Sequence, residues 1–203
     1  MPKYLWGLVL DYTAHQTALD EDEKEGLIIK SITTRQELDE FEQQNIEKAI
    51  DWTLRKRFRV SKILSERFVC KLHKKMFEET WSWAGEFRRT NKNIGVDKYR
   101  IGTELGILLS DCKYWIENNI FSPDEIAIRL KHRIVKIHPF TNGNGRHSRL
   151  LADIVAQHVF SRPVFTWGSQ KIDSANIIRR EYLQALFQAD RQDYGPLIEF
   201  ARR

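Results

Sequence analysis

The sequence predicts an all-α domain with one small β-hairpin flap. Apolar residues recur at helical spacing from Leu38 to Phe200, and helix-capping residues stand where these runs begin. Gly and Pro are sparse, at 10 and 5 of 203 residues, which leaves little room for long irregular segments. One stretch breaks the pattern. Phe87 to Ile101 carries Asn91, Asn93, Gly95 and Asp97 between short alternating runs and reads as the hairpin.

Thr34 and Glu37 have capping-box spacing. Leu38, Phe41, Ala49, Ile50 and Leu54 then form the stripe of a long helix ending near Lys56. Ser65 caps a helix to about Phe77, with Val69, Leu72 and Met76 on one face. Trp81, Trp83 and Phe87 fall in a turn-rich stretch around Gly85. Beyond the flap, Leu105, Leu108, Leu109, Cys112, Trp115 and Ile116 mark a helix that Asn118 and Asn119 end.

Ser122, Pro123, Asp124 and Glu125 open the next helix, which runs to Ile137. Leu150 to Phe160 is a further helix, closed by Arg162-Pro163. Phe165, Trp167 and Gly168 form an extended connection. Ala175 to Ala189 returns to helical spacing, and Gly195-Pro196 opens a last short helix. Six to eight helices are expected in all, with 1–60 as an N-terminal arm and helix packed on the core and 61–203 as the main domain.

A hydrophobic content of 41% with 11% aromatics is enough for a real core. The two cysteines, Cys70 and Cys112, sit in apolar helical patterns and read as buried thiols of a reducing, cytoplasmic setting. Met1 to Leu10 is apolar but too short for a signal core, and no run approaches the ~18 apolar residues of a membrane span, so a soluble protein without a membrane partner is expected. Asp20 to Glu25 is an acidic patch, read as a solvated face. The net charge of +5 is modest, and the basic residues from Arg55 to Lys75 read as solvated helix faces, so no nucleic-acid partner is expected. No GxxxxGK[ST] and no HExxH occurs, which excludes a Walker-type nucleotide site and that zinc site.

The chain is organised around His138-Pro139-Phe140-Thr141-Asn142-Gly143-Asn144-Gly145-Arg146-His147-Ser148-Arg149, a loop between two helices. The start of the second helix offers unpaired N–H groups and the positive end of its dipole, which suits an anion. Gly143 and Gly145 allow close backbone approach, with Asn144 between them. Arg146 and Arg149 lie one helical turn apart, so both can face one ligand. His138, at the other lip, has a side chain suited to proton transfer near neutrality. The pattern points to phosphate binding beside a general base.

These residues resemble the signature of the Fic/Doc family, HPFx(D/E)GNGRxxR, and the resemblance extends over about Ser61 to Ala201. The acidic opening, the Trp-Ala-Gly segment and the Phe-Thr-Trp-Gly segment further resemble the Fic-containing group called mobile mystery protein B. The resemblance implies a protein adenylyltransferase. It would move AMP from ATP to a Ser, Thr or Tyr hydroxyl of a target protein, with His138 as base. Gly143, Asn144, Gly145, Arg146 and Arg149 would hold the nucleotide. Lys92, Asn93, Ile94 and Gly95, at the flap tip, would position the target by strand-like pairing. Tyr182 and Leu186 would line the adenine pocket.

The family places Asp or Glu, the Mg²⁺ ligand, where this chain has Asn142. A neutral amide is a poorer partner for a hard cation, so Asn142 would be a weak metal candidate and Mg²⁺ weakly held. This leaves a second reading open: a degenerate Fic domain that binds nucleotide or phosphate as an interaction module, or that uses another donor. A kinase of the Doc type is disfavoured by Gly145. Many relatives are restrained by a helix bearing (S/T)xxxE(G/N), whose Glu pairs with the motif's second arginine. Ser82 to Glu86 and Thr33 to Glu37 have that spacing, but Phe87 and Leu38 follow them. A toxin-like protein restrained by a separate antitoxin, such as a helix-turn-helix companion, is the expectation the resemblance leaves.

Overall fold

Helix starts follow the capping signals in the computed structural model, which describes residues 24–32, 34–169 and 175–203. Thr34 Oγ1 accepts from the amide of Glu37, and the Glu37 carboxylate accepts from the amide of Thr34, closing the capping box of α1 (Arg35–Leu54). A single turn, α2 (Val60–Ile63), follows, and Ser65 then caps α3 (Glu66–Phe77). A 3₁₀ turn at Lys98–Arg100 leads into α4 (Ile101–Glu117). Ser122 caps α5 (Pro123–Ile137), with Pro123 at its first position. The rest is α6 (Asn144–His158), α7 (Ala175–Asp190) and α8 (Gly195–Arg202).

The all-α class holds, with eight α-helices among the described residues. The acidic patch at Asp20–Glu25 falls largely outside those residues, as does Thr33. α6 is buried on almost every side, from Leu150 and Leu151 to Asp153 and Val155, which makes it the central helix. It packs on α5, on α3 and on the short α2, while α1 lies against α3 and α8 against α7. Asp153, wholly inside, fixes the following connection to α6. Its carboxylate accepts from the Phe165 amide at 3.0 Å and the Trp167 indole at 3.3 Å. Burial pushes that carboxyl well above its usual range.

The expected β-hairpin flap does not form. Among the described residues between 87 and 101 there is no strand, only an isolated antiparallel bridge from Phe87 to Phe140. Side chains, not a ladder, close this segment. Arg88 Nη1 donates to the Thr90 carbonyl at 2.8 Å, and Nη2 donates to the Val96 carbonyl. Asn91 Oδ1 accepts from the Lys98 amide at 2.8 Å, and Asp97 accepts from the Tyr99 amide at 2.9 Å. A guanidinium at the centre occupies carbonyls that a two-stranded ladder would use.

Candidate active site

α5 delivers His138 as its C-cap in a left-handed conformation, at φ 54° and ψ 59°. A non-glycine residue pays strain there, and it is held by what surrounds it. Its amide donates to Ile134 O at 2.9 Å, and its carbonyl accepts from Arg88 Nε at 2.7 Å. The segment before α4 then wraps the loop: the Arg88 amide donates to Pro139 O at 2.9 Å and the Val96 amide to Ile137 O at 3.2 Å. Arg88 is almost wholly buried, and nothing in its sequence neighbourhood marks it apart from Arg89, which is exposed beside Glu86. His138 is 4% exposed, and its imidazole faces the Val135 carbonyl. Burial lowers its pKa to about 4, the Val135 carbonyl works against that, and Arg88 and Lys92 add to it. The ring is therefore neutral near pH 7.

Phe140 is the plug under the loop, fully buried. His73 of α3 stacks on it at 3.8 Å and His147 of α6 meets it edge-on at 5.0 Å. The Gly85 amide donates to His73 Nδ1 at 2.9 Å, so the proton sits on Nε2 and is donated to the Asn142 carbonyl at 3.0 Å. His147 Nε2 donates to Val69 O at 3.0 Å. Burial lowers the pKa of both rings, that of His147 to about 4. These two histidines carried no assigned role in the sequence pattern. They are neutral braces of the loop.

Asn144 makes a closed pair with the Phe140 backbone, accepting from its amide at 3.0 Å and donating to its carbonyl at 2.8 Å. Gly143, at φ 75°, is the N-cap of α6, and a Cβ there would lie 2.5 Å from the Phe77 ring. Gly145 differs: a Cβ on it would meet nothing within 4 Å. The amides of Asn144 and Gly145, in the first turn of α6, have no hydrogen-bond partner among the described residues. The loop thus presents an open, positively polarised backbone beside a neutral imidazole.

The two arginines engage different neighbours. Arg146 Nη1 donates to Glu42 of α1 at 2.6 Å, and its guanidinium lies over Phe77. Glu42 is fully buried and also accepts from the Trp81 indole at 2.6 Å. Arg149 lies over Tyr182 at 4.8 Å and Trp167 at 5.6 Å, with its Nε buried and unpartnered. Tyr182 also accepts from Lys131, itself fully buried. Burial raises the Tyr182 pKa, but Lys131 and Arg149 outweigh it and bring the phenol to about 8. Leu186 packs partly buried against the core.

The flap-tip residues stay beside His138 although no strand forms. Gly95, at φ 101°, sits so close that a Cβ would lie 2.6 Å from His138 Cβ. Asn93 and Ile94 are exposed, and Lys92 is near enough to act on the histidine's charge. The loop does not fit a resident Mg²⁺. Asn142 Oδ1 is neutral and already accepts from the Gly143 amide at 2.5 Å, and no group of three or more His, Cys, Asp or Glu converges among the described residues. Of the two carboxylates with inhibitory-helix spacing, Glu37 is held in its capping box and Glu86 pairs with Arg89 at the surface.

Residues 63–156 match the model of the Fic/DOC family, and the chain carries a Fic/DOC domain. Curated relatives named protein adenylyltransferase Fic are 30% identical over 119 residues in Drosophila grimshawi and 28% over 123 in Nematostella vectensis. These alignments cover 57% and 59% of this chain but 23% and 27% of the relatives, so the chain spans about a quarter of their length. Among solved structures, the Fic-domain signalling protein of Bacteroides thetaiotaomicron matches at TM-score 0.62 and 18% identity, over 83% of this chain and 70% of that one. The N-terminal Fic domain of a Bartonella quintana Bep effector matches at 0.63 and 19%, over 85% and 84%. BepC of Bartonella tribocorum, solved with AMPPNP bound, matches at 0.62 and 17%, over 90% and 97%. The fold of this chain is the Fic fold.

Proposed function

We propose that the chain is a protein adenylyltransferase that moves AMP from ATP to a Ser, Thr or Tyr hydroxyl of a target protein. The observation that carries this reading is the neutral His138 imidazole held at the lip of a loop whose helix-start amides are open. A neutral ring takes the proton of the incoming hydroxyl, whose oxygen attacks the α-phosphorus. The bond from that phosphorus to the bridging oxygen breaks, and pyrophosphate leaves with the electron pair. The amides of Asn144 and Gly145, the α6 dipole and Arg149 stabilise the charge on the phosphates. Arg146 adds little while Glu42 neutralises it. The exposed backbone at Asn93 and Ile94 presents the target segment to His138 by strand-like pairing. No step is routed through a protein-held metal.

Restraint by a separate partner protein belongs to this reading, since both carboxylates with inhibitory spacing are engaged elsewhere. The test is transfer from ATP labelled on the α-phosphate, in extract, with wild type beside His138→Ala. A labelled band that disappears in the variant supports the transferase; a band that persists removes His138 as base. A second reading rests on Asn142, which lacks the charge that would hold a metal on the phosphates, and on the Glu42–Arg146 pair, which takes one arginine's charge away from the loop. It is a nucleotide-binding module without transfer. ATP binding by calorimetry with no labelled product favours it.

A further inference from the structure

The basic stretch from Arg55 to Lys75 holds nine Lys and Arg against Glu66 alone, while the whole chain is only +5. Everything outside this stretch is therefore net acidic. The structure brings three of these cations over one aromatic cluster. Trp52, Phe58 and Phe68 form an aromatic cluster, with ring centroids 5.1 to 6.1 Å apart. Over it lie three lysines from three separate segments. Lys56, just past α1, and Lys71 of α3 both sit over the Trp52 ring, at 5.9 and 5.7 Å. Lys62 of α2 sits over Phe58 at 5.5 Å. Arg57, Arg59 and Arg67 flank the same aromatics in the chain and are exposed. None of these six cations forms an ion pair among the described residues, whereas Lys75, at the end of α3, is paired with Glu78.

We propose that this face binds nucleic acid through its phosphate backbone. Six exposed cations that form no ion pair among the described residues repel one another, and a polyanion relieves that repulsion while releasing its own counterions. Phe58 and Phe68 are buried and Trp52 is half-buried beneath two of the lysines, so charge is the main recognition element this surface offers. A phosphate backbone needs no more than that. A folded protein partner would need an apolar centre. A membrane surface would need exposed apolar side chains, and Leu54 is the one large exposed apolar residue between 52 and 77. α3 turns His73 inward to the loop and Lys71 outward, so this surface is distinct from the candidate active site. It goes beyond the sequence expectation of solvated helix faces, which the exposure of these residues agrees with.

The experiment is anisotropy of a short labelled DNA duplex, titrated with the full chain over a series of salt concentrations. Lys56→Gln/Lys62→Gln/Lys71→Gln is run beside the wild type, after circular dichroism has shown that it melts as the wild type does. The expected result is salt-sensitive binding by the wild type. The variant should bind at least about tenfold more weakly at low salt, with a log–log salt slope shallower by about 2 to 3, near 0.9 for each lost phosphate contact. Three results would overturn the proposal: no binding at low salt, an unchanged slope in the variant, or equally tight capture of polyglutamate or phosphatidylserine vesicles at the same salt.

Discussion

Glu42 and Arg146 stand 104 residues apart in the chain and meet in a buried pair at 2.6 Å, joining α1 to the first turn of α6. Their side chains are 2% and 12% exposed. The same carboxylate accepts from the Trp81 indole, so one residue of α1 fixes both the candidate active-site helix and the turn after α3. Glu42→Ala removes the buried carboxylate to which both the largely buried Arg146 guanidinium and the Trp81 indole N–H donate. It should destabilise the fold by about 3 to 5 kcal/mol, read from the urea midpoint. Glu42→Ala/Arg146→Ala should be less destabilised than the two single losses together, because the stranded charge is gone. Additive losses would show that the two side chains are not coupled.

The two glycines of the loop should respond in opposite ways. Gly143→Ala forces a left-handed φ on alanine and drives a methyl into the Phe77 ring, so a clear loss of thermal stability is expected. Gly145→Ala enters helical backbone with open space around it, and should raise stability by up to about 1 kcal/mol. That same methyl projects where a phosphate would approach the α6 amides. ATP affinity should fall while the melting temperature rises. Unchanged ATP affinity in Gly145→Ala would move the phosphate site away from the start of α6.

Much of this was legible in the sequence. The capping box of α1, the serine caps of α3 and α5 and the apolar stripes set the helices because local hydrogen bonding and burial dictate them, and the motif between α5 and α6 marked the loop. The expected hairpin failed because period-2 alternation does not reveal that a buried arginine, Arg88, occupies the carbonyls a ladder would need. The braces of the loop were hidden for another reason. His73 and His147 act across long sequence separations, through Asn142 and Val69 carbonyls that any residue would offer. Glu42 did leave a signal. It lies four residues after Leu38 and four before Ile46, inside the apolar stripe of α1, and a carboxylate in that register calls for a buried partner.

Gly95 is the contact between the segment before α4 and His138. A methyl at this position would lie 2.6 Å from the His138 Cβ and 3.0 Å from both Arg88 Nη2 and Ile137 O, at a φ that disfavours any side chain. Gly95→Ala should therefore push the segment off the loop and reduce transfer, with ATP affinity little changed because the α6 amides are untouched. The labelled product and calorimetric affinity, measured on the same preparation, separate these effects. Equal loss of both would mean that the whole loop has collapsed.

Acid sensitivity should come from the buried histidines. His138 and His147 have pKa values lowered to about 4, first by burial, and His132, packed between Asp190 and Tyr194, is lowered to about 4 by burial and Lys131. In the unfolded chain each titrates near 6.5. Above that value both states are neutral and the contribution to stability is complete. Between about 6.5 and 4 the unfolded chain takes up protons that the folded chain refuses, so stability falls as pH falls, by up to about 1.4 kcal/mol per pH unit for each histidine. Below about 4 the folded rings protonate too, and the loss levels off. Urea midpoints measured across that window should drop steeply, and the ring-proton signals of His138 and His147 should still report neutral imidazole at pH 5.5. Titration of His138 near 6.5 would show that its ring stands in water, and the acid limb of the transfer rate would then fall near neutrality instead of in the acid range.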